Sequence, residues 1–186
     1  MLLKKGLVSL VLVSVLSFSS VAQDAPKNAA IELAGGKLTV QAPENWKKVQ
    51  PKSNIIQYEF RAPADAKEDQ QARITIMPAG GSVPQNIDRW KAQFDGLKDD
   101  DAKVEEKEIA AQKVHFVDIK GTYKDSMGGG PFAGGQIKKM PNYRMLGLII
   151  DSKEDGLTFI KLTGPNDVVE KLVDDWKKMA DALKAK

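Results

Sequence analysis

A single histidine and a scattered set of carboxylates are the side chains with the clearest potential for catalysis in this sequence. His115 is the only histidine and the chain has no cysteine. A histidine-rich metal site, a cysteine-based zinc site, an iron–sulfur centre and a thiolate nucleophile are therefore excluded. A serine–histidine–acid triad would depend on His115, which shares a predicted strand face with Val117 and Ile119 and so fits a structural or edge position better. The residue types predict neither a metal nor a cofactor.

Carboxylates could support a different chemistry, because the chain has 25 of them. Asp118 and Asp125 are one pair that a glycosidase-type hydrolase could use. The acidic run over 95–108 lacks the spaced ligands and the central glycine of a calcium loop, so a solvated helix end is predicted there. With 25 acidic residues in one domain, some carboxylates are expected to lie near each other by chance. A carboxylate-dependent hydrolase of envelope or extracellular polymer therefore stays an alternative, and whether the chain is an enzyme stays open.

The segment 125–142 is the strongest candidate for an interaction. It reads DSMGGGPFAGGQIKKMPN, with five glycines and no strand or helix period. A phosphate-binding loop needs Gly-Lys-Ser/Thr after its spacer, whereas Gln136 and Ile137 stand here. Apolar groups beside cations on a loop suit recognition of a partner protein, a peptide or an anionic polymer. The alternative is a flexible excursion whose Phe132 and Met140 pack back onto the sheet. The predicted interaction residues are Met127, Phe132, Lys138, Lys139, Met140, Tyr143 and Arg144.

Two amphipathic helices are predicted to support these residues. Ser82 and Gln85 form the pattern of a capping box, and an apolar stripe with helical spacing follows as far as Leu97. A second stripe predicts a helix over 166–183, with acids near its start and lysines near its end. The helical spacing places Trp90 and Trp176 in the core. The third tryptophan, Trp46, follows a proline corner, where partial exposure at a sheet end is expected.

Strand patterns occupy most of the remaining chain. Apolar and polar residues alternate in several short runs, and the run over 143–150 is apolar on both faces, as in a strand covered on both sides. Strands, a helix, more strands and a final helix predict an α+β fold, an α/β/α sandwich in which two helices flank a central, mainly antiparallel sheet. The predicted strands cover 31–33, 38–40, 55–61, 72–77, 104–110, 113–123, 143–150 and 157–163.

The N-terminal 22 residues predict export. Lys4 and Lys5 precede an apolar run too short to span a bilayer, and Ala22 ends a small-residue cleavage site. We therefore expect a cleaved signal peptide over 1–22, a flexible leader over 23–30 and a single domain over 31–186. Removing Lys4 and Lys5 from the 28 basic residues leaves 26 against 25 acidic ones. Such a balance indicates no nucleic-acid partner, and no second segment predicts a stable membrane anchor.

Two stretches of the mature chain carry a family resemblance. The corner Pro43-Glu44-Asn45-Trp46 and the closing pattern Phe159-Ile160-Lys161-Leu162-Thr163-Gly164-Pro165, which leads into the last helix, resemble the Mog1/PsbP-like α/β/α sandwich. The resemblance extends over nearly the whole mature chain, and it is to small exported bacterial proteins of unassigned activity. Members of known role bind partners, a small GTPase in one branch and the oxygen-evolving side of a photosystem in the other. Export excludes a nuclear GTPase as the partner here.

These observations favour an exported, non-enzymatic binding or accessory protein that uses the glycine-rich segment for recognition. The partner is an unidentified protein or polymer outside the cytoplasm. A structural component of the envelope is a further alternative to the hydrolase. Periplasmic residence or full secretion, and the oligomeric state, stay open.

Overall fold

The computed structural model describes residues 30–125 and 137–186 of the chain. The predicted signal peptide, most of the predicted leader, and the candidate residues Met127 and Phe132 lie outside the described residues. Only Ala30 of the leader is described, and it begins the first strand. The elements are β1 Ala30–Leu33, β2 Leu38–Gln41, β3 Lys47–Val49, β4 Tyr58–Ala62, β5 Ala72–Ala79, α1 Val83–Lys91, β6 Phe94–Asp95, β7 Ala102–Ile109, β8 Gln112–Asp125, β9 Lys138–Ser152, β10 Gly156–Pro165, α2 Asn166–Asp181 and β11 Lys184–Ala185.

A large antiparallel sheet dominates the described part of the chain. Its strand order is β3-β4-β5-β10-β9-β8-β6, and β7 also pairs with β8. Strands β1, β2 and β11 form a second sheet of three strands. Every strand pair among the described residues is antiparallel. A mostly antiparallel sheet with two helices confirms the predicted α+β class.

Helix α2 covers one face of the large sheet. Its buried residues Leu172, Trp176 and Met179 recur with helical spacing, as the sequence predicts, and pack with apolar side chains of strands β4, β5, β8, β9 and β10. Trp176 also lies 6.3 Å from Trp46, measured between ring centroids. Trp46 is only 1% exposed, so the expectation of partial exposure is wrong. The proline corner turns the chain inward, where the indole packs between Phe60 and Trp176.

Helix α1 packs on the opposite face. Its capping box is confirmed: the Gln85 amide donates to Ser82 Oγ at 3.4 Å and the Ser82 amide donates to Gln85 Oε1 at 3.2 Å. Trp90 lies directly over Gly147, where a Cβ atom would come within 2.2 Å of the indole ring. The ring of Trp90 also meets Phe159 edge-on at 4.9 Å. This contact fixes how closely the helix approaches the sheet.

Helix α1 ends at Lys91, six residues before the end of its predicted apolar stripe. Phe94 instead begins strand β6 and pairs with Tyr123 of β8, and the Lys124 amide donates to the Gln93 carbonyl at 2.7 Å. Phe94 and Leu97 still pack in the apolar cluster under α1. Tertiary pairing with β8 therefore replaces the last helical turns without exposing these side chains.

The C-terminal part of the segment 125–142 is a strand rather than a loop. Strand β9 begins at Lys138 and pairs with the end of β8, with Lys138 opposite Asp125 and Met140 opposite Tyr123. The register shifts at this point, so that Pro141 and Asn142 together lie opposite one residue of β8. Asn142 has a φ of 56°, as expected at a bulge, and a bulge accommodates a proline in a strand. Among the described residues, no helix is long and apolar enough to cross a bilayer.

Candidate functional site: a cationic patch beside helix α1

The face of the large sheet that carries α1 has a row of polar side chains across its middle. Lys161 of β10 pairs with Thr75 of β5, which pairs with Glu59 of β4. Directly paired residues of antiparallel strands project to the same face, so these three side chains lie side by side. On its other side Lys161 pairs with Gly147, the residue beneath Trp90. The row therefore begins where helix α1 stops covering the sheet.

A second row runs parallel to the first. Thr163 of β10 pairs with Arg73 of β5, Arg73 with Arg61 of β4, and Arg61 with Lys47 of β3. Within the described residues, the apolar cluster under α1 contains no side chain of β3 or β4. With nine residues, α1 is only about 14 Å long, less than half the width of an eight-stranded sheet. The charged rows occupy the part of the face that this short helix leaves open.

Five cations gather on this open area, which we call the cationic patch. Four come from the two rows, and Arg89 is added from the last turn of α1. Its positive charge lowers the pKa of Lys161, so the two cations share this area. The cationic patch consists of Lys47, Arg61, Arg73, Arg89 and Lys161.

Glu59 is the acid at the base of the cationic patch. It is 1% exposed, and Arg73 donates to both of its carboxylate oxygens, from Nε at 2.8 Å and from Nη2 at 2.9 Å. Arg61 Nη2 approaches the same carboxylate at 3.5 Å. Burial alone would raise the pKa of Glu59, but the hydrogen bonds and charge of Arg73, with smaller effects of Arg61 and Lys52, hold it below its ordinary value. Glu59 is thus ionised and fully engaged by arginine.

Lys161 is a half-buried cation whose positive charge has no carboxylate partner among the described residues. Its Nζ donates to Gln93 Oε1 at 2.5 Å and lies 5.5 Å from the centre of the Tyr123 ring. Burial, followed by the positive charges of Arg73 and Arg89, lowers the pKa of Lys161 to about 8. No carboxylate among the described residues lies within 4.0 Å of this ammonium group. The side chain therefore carries a charge that the described protein groups do not neutralise.

Two stacked tyrosines border the cationic patch. The rings of Tyr123 and Tyr143 are 6.1 Å apart and inclined by only 8°. Burial, then the charge of Asp125, raises the pKa of both phenols, so both hydroxyls stay neutral near pH 7. Neutral phenols beside cations supply hydrogen bonds and flat contact area, a combination typical of recognition surfaces.

A shallow cleft of about 280 Å³ lies at the β3 and β4 end of the cationic patch. Its charged lining residues are Lys47, Lys52, Glu59, Arg61 and Glu68. Its lining is mainly charged, unlike the apolar lining of a typical drug-sized pocket. Such a cleft suits polar or charged groups of a larger partner.

The predicted interaction residues divide between the two faces of the sheet. Met140 and Tyr143 share the face of the cationic patch, since Met140 pairs with Tyr123 and Tyr143 packs on the cluster under α1. Lys138 and Lys139 are exposed near the start of β9, and Lys139 Nζ lies 2.5 Å from an oxygen of Asp95. Arg144 projects to the opposite face. The structure therefore brings together only part of the predicted set.

Arg144 is buried, contrary to its predicted place on an open recognition loop. It is 6% exposed and donates to both oxygens of Asp118, at 2.8 Å from Nε and 2.7 Å from Nη2. It also contacts Glu170 in the first turns of α2. Its hydrogen bonds to Asp118, opposed in part by burial, raise the pKa of Arg144. The guanidinium links helix α2 to the sheet, a structural position that its burial explains.

The catalytic candidates of the sequence do not converge. Asp118 pairs with Leu146 on the face of α2, whereas Asp125 lies two residues beyond Tyr123 on the face of α1. His115 Nδ1 lies 3.5 Å from Glu106 in a groove of about 450 Å³ beside the start of α1. Ser82 lines the same groove, but its hydroxyl accepts the capping hydrogen bond of Gln85. In the described part of the chain, no acidic and histidine side chains cluster as a metal site would require.

The residues of the cationic patch were missed by the sequence predictions, although a signal is present. Lys161 stands between Ile160 and Leu162, and Arg73 stands beside Ile74, in strands that are otherwise strongly apolar. A charged residue inside such a run must project from one face while its neighbours are buried on the other. The alternation predicts one charged face per strand, but only strand order shows that these positions adjoin.

Comparison with known proteins finds similarity in structure and none in sequence. No protein-family model matches the chain, and no curated protein sequence is significantly similar to it. The solution structure of cyanobacterial PsbP, CyanoP, from Synechocystis sp. PCC 6803 aligns over 91% of this chain and 98% of its own, with a TM-score of 0.53 and 11% identity.

Two further solved structures align with lower scores. LpqN of Mycobacterium tuberculosis, described as involved in cell envelope biogenesis, covers 87% of this chain and 86% of its own at 9% identity and a TM-score of 0.45. The Ran-binding protein Mog1p of Saccharomyces cerevisiae covers 87% and 96% at 11% identity and a TM-score of 0.43. At such low identity the likeness concerns the fold alone. The fold is Mog1/PsbP-like, as the resemblance in the sequence predicted.

Proposed function

We propose that this chain, with its Mog1/PsbP-like fold, is an exported, non-catalytic binding or accessory protein that recognises an anionic partner outside the cytoplasm. The observation that carries the proposal is the cationic patch on the part of the sheet that α1 leaves open. Its five cations outnumber the acids near them, which are Glu59, already engaged by Arg73 and Arg61, Asp125, whose charge acts on Lys161, and Glu68 of the cleft. Such an excess of positive charge attracts anions and orients their approach.

The groups around the cationic patch support recognition rather than catalysis. Tyr123, Tyr143 and Met140 add aromatic and thioether surface on the same face, and these residue types are enriched at protein interfaces. A hydrolase of the kind considered above needs two converging carboxylates, whereas Asp118 and Asp125 lie on opposite faces. We propose that the base of the β8–β9 hairpin and the adjoining glycine-rich segment extend the same surface. The proposal includes the α/β/α arrangement, in which the two helices lie on opposite faces of the sheet. In this arrangement the short helix α1 leaves its face only partly covered, and the recognition surface lies on the uncovered part.

Binding to defined polymers tests the proposed function. Protein produced from the full chain is passed over immobilised polyglutamate, polyphosphate and neutral dextran at 0.15 M salt. We expect binding to both anionic polymers and none to dextran. Replacing two exposed cations of the patch, Lys47→Gln with Arg89→Gln, should weaken binding about tenfold or more, because each lost charge contact contributes about 1 kcal/mol. The matched control replaces two exposed lysines of α2, Lys171→Gln with Lys177→Gln, and should bind as the wild type. Equal losses in both double variants would overturn the assignment of the surface.

Removal of residues 128–135 tests the part assigned to the glycine-rich segment. We expect the thermal midpoint to stay within about 2 °C of the wild type while binding to the anionic polymers falls. Unchanged binding would remove the segment from the recognition surface. A large drop in the midpoint would instead assign it a structural role.

Export is tested by the N-terminus of the protein that a bacterial host releases to its envelope or medium. Mass spectrometry should find a chain that begins at Gln23, as the cleavage pattern after Ala22 predicts. A chain that retains residues 1–22 and stays inside the cell would contradict export. Capture of polymers by the purified protein would be unaffected by that result.

A further inference from the structure

Lys161 lies at the boundary between the apolar and the charged parts of the α1 face. Its neighbours in the chain, Ile160 and Leu162, are buried on the opposite face against the α2 core. On its own face Trp90 covers Gly147 on one side, and Arg73 stands near it on the other. The ammonium group contacts Gln93 and the Tyr123 ring, so it lies between the apolar cluster and the rest of the cationic patch, where solvent is partly excluded.

Nothing among the described residues neutralises this ammonium group directly. Glu59 accepts hydrogen bonds from Arg73 through both of its oxygens. Asp125 acts on Lys161 through its charge but forms no ion pair with it. The positive charges of Arg73 and Arg89 oppose that of Lys161. A half-buried cation among like charges lowers stability unless a negative group joins it. An anion bound at this place would supply the missing charge.

A buried hydroxyl near Lys161 has no hydrogen-bond partner among the described residues. Thr163 lies two residues from Lys161 along β10, so the two side chains share a face. Its Oγ1 is buried and has no hydrogen-bond partner among the described residues. A hydroxyl in this position would ordinarily be satisfied, since an unmade hydrogen bond of a buried group costs about 1–3 kcal/mol. Thr163 lies beside Arg73, with which it pairs directly, and the charge of Arg73 also acts on Lys161.

We propose that Lys161, Arg73, Arg89 and Thr163 form a subsite for one oxyanion, a phosphate or a carboxylate group of the partner. This proposal rests on the proposed function. It names the chemical group of the partner that binds at the most buried part of the cationic patch. Lys161 supplies the charge closest to the apolar cluster, and Thr163 donates through its hydroxyl. Arg73 uses Nε and Nη2 for Glu59, which leaves Nη1 to donate to the anion. Glu59 positions Arg73 and does not contact the anion.

Protonation of Lys161 sets the pH range of binding. Since the pKa of Lys161 is about 8, its charge is present at pH 7 and largely absent at pH 9.5. The pKa of Arg73 is raised by its hydrogen bonds to Glu59, so its charge is constant over this range. Burial raises the pKa of Tyr123 and Tyr143. Binding of an oxyanion should therefore fall steeply between pH 7 and pH 9.5. The charged or titratable groups that face Lys161 from the surrounding elements are Glu59, Arg73, Arg89, Tyr123, Asp125 and Tyr143.

The test measures the binding of inorganic phosphate and of acetate by calorimetry and thermal shift, at pH 7 with chloride balancing the ionic strength. We expect at least one of the two anions to raise the thermal midpoint of the wild type. In the variant Lys161→Met the affinity should fall about tenfold or more, and in Thr163→Val by a smaller factor. Lys153→Gln, which removes one exposed lysine in the turn that follows strand β9, should bind as the wild type.

The variants also separate a lost site from lost folding. Lys161→Met removes a destabilising charge, so its thermal midpoint without added anion should equal or exceed that of the wild type. Loss of anion binding in this stable variant supports the subsite, while binding equal to the wild type overturns it. Phosphate binding without acetate binding would assign the subsite to phosphate groups, and the reverse to carboxylates.

The polymer experiment distinguishes the two proposals. Polymer binding that Lys161→Met leaves intact would overturn the subsite and keep the cationic patch as a recognition surface. Small-anion binding lost in Lys161→Met, together with no polymer binding by the wild type, would keep the subsite and overturn the proposed function.

Discussion

The two faces of the large sheet each hold a cation away from bulk water, but they surround it differently. On the α2 face, Arg144 makes two hydrogen bonds to Asp118 and contacts Glu170. On the α1 face, Lys161 donates to the amide oxygen of Gln93, lies over the Tyr123 ring and has positive charges nearby, but it pairs with no carboxylate of the described residues. A compensated buried cation holds two elements together, whereas an uncompensated one is available to a ligand.

The helices account for this difference. Helix α2 has 16 residues and covers a continuous apolar cluster, so a charge on that face must be paired to be tolerated. Helix α1 has nine residues, and among the described residues its apolar cluster includes no side chain of β3 or β4, so charges on that side of the face keep part of their hydration. The closed face provides stability, and the open face provides the proposed recognition surface.

The largest expected effect is on the closed face. Replacing Trp176→Ala removes the ring that packs against Trp46 and the sheet, and should lower the free energy of unfolding by about 4 kcal/mol. Denaturation by urea measures the loss. The neighbouring exposed lysine provides the control, since Lys177→Ala should change stability by less than about 0.5 kcal/mol. A loss below about 1 kcal/mol for Trp176→Ala would mean that α2 is not the main cover of that face.

The boundary of the open face depends on Gly147. The substitution Gly147→Ala places a methyl group within 2.2 Å of the Trp90 ring, so α1 must shift away from the sheet. We expect a loss of about 3 kcal/mol, measured by urea denaturation. The double variant with Trp90→Leu should lose less than the sum of the two single variants, because the smaller side chain relieves the clash. Additive losses would show that the contact is not the cause.

Replacing the paired cation Arg144 should lower the free energy of unfolding by less than the two core substitutions do. Replacing Arg144→Met leaves Asp118 and Glu170 without their shared partner and should cost about 2 kcal/mol, less than for a fully buried pair because Glu170 is largely exposed. Lys120→Met is the control, as its exposed contact with Glu170 at 3.8 Å should contribute less than about 0.5 kcal/mol. Equal losses in the two variants would place Arg144 among ordinary surface ion pairs.

Replacing Lys161 should raise the free energy of unfolding, whereas the substitutions above lower it, and the change should be the smallest of the four. Unfolded, Lys161 keeps its proton up to its ordinary pKa of 10.5, whereas in the folded protein the pKa is about 8. The unfolded state binds more protons between these values, so wild-type stability from this group rises with pH there. Lys161→Met should therefore be about 1 kcal/mol more stable than the wild type at pH 7, after allowance for solvent screening and the lost bond to Gln93.

That advantage should shrink as the pH rises from about 8 towards 10.5, which urea denaturation at a series of pH values will show. Lys153→Met, an exposed lysine, should differ little from the wild type at every pH. A Lys161→Met variant that is less stable than the wild type at pH 7 would make Lys161 a compensated group like Arg144.

Local patterns predicted much of the fold. The capping box at Ser82 and the stripe of Trp176 are confirmed because each depends on residues within a few positions of one another. The end of α1 and the strand over 138–142 were predicted wrongly. Phe94 leaves the helix to pair with Tyr123, and β9 extends through a bulge at Pro141, and both outcomes depend on β8.

The candidate site was predicted only in part. The sequence pointed to the β8–β9 hairpin, and Met140 and Tyr143 do lie beside the cationic patch. It also pointed to Arg144, whose side chain alternates to the other face and is buried by α2. Lys161 was treated as part of a fold pattern, because its role as a cation depends on neighbours distant in the chain.

By itself, the sequence determined the chemistries that the chain lacks, the α+β class and the apolar faces of both helices, since these depend on residue types and local periodicity. Only the tertiary structure decided which charges are paired. A strand's alternation assigns a residue to one of two faces, but strand order and helix length decide whether that face is closed or open. Arg144 and Lys161 are both cations in apolar strands, and packing alone made one a structural link and the other the centre of the proposed anion site.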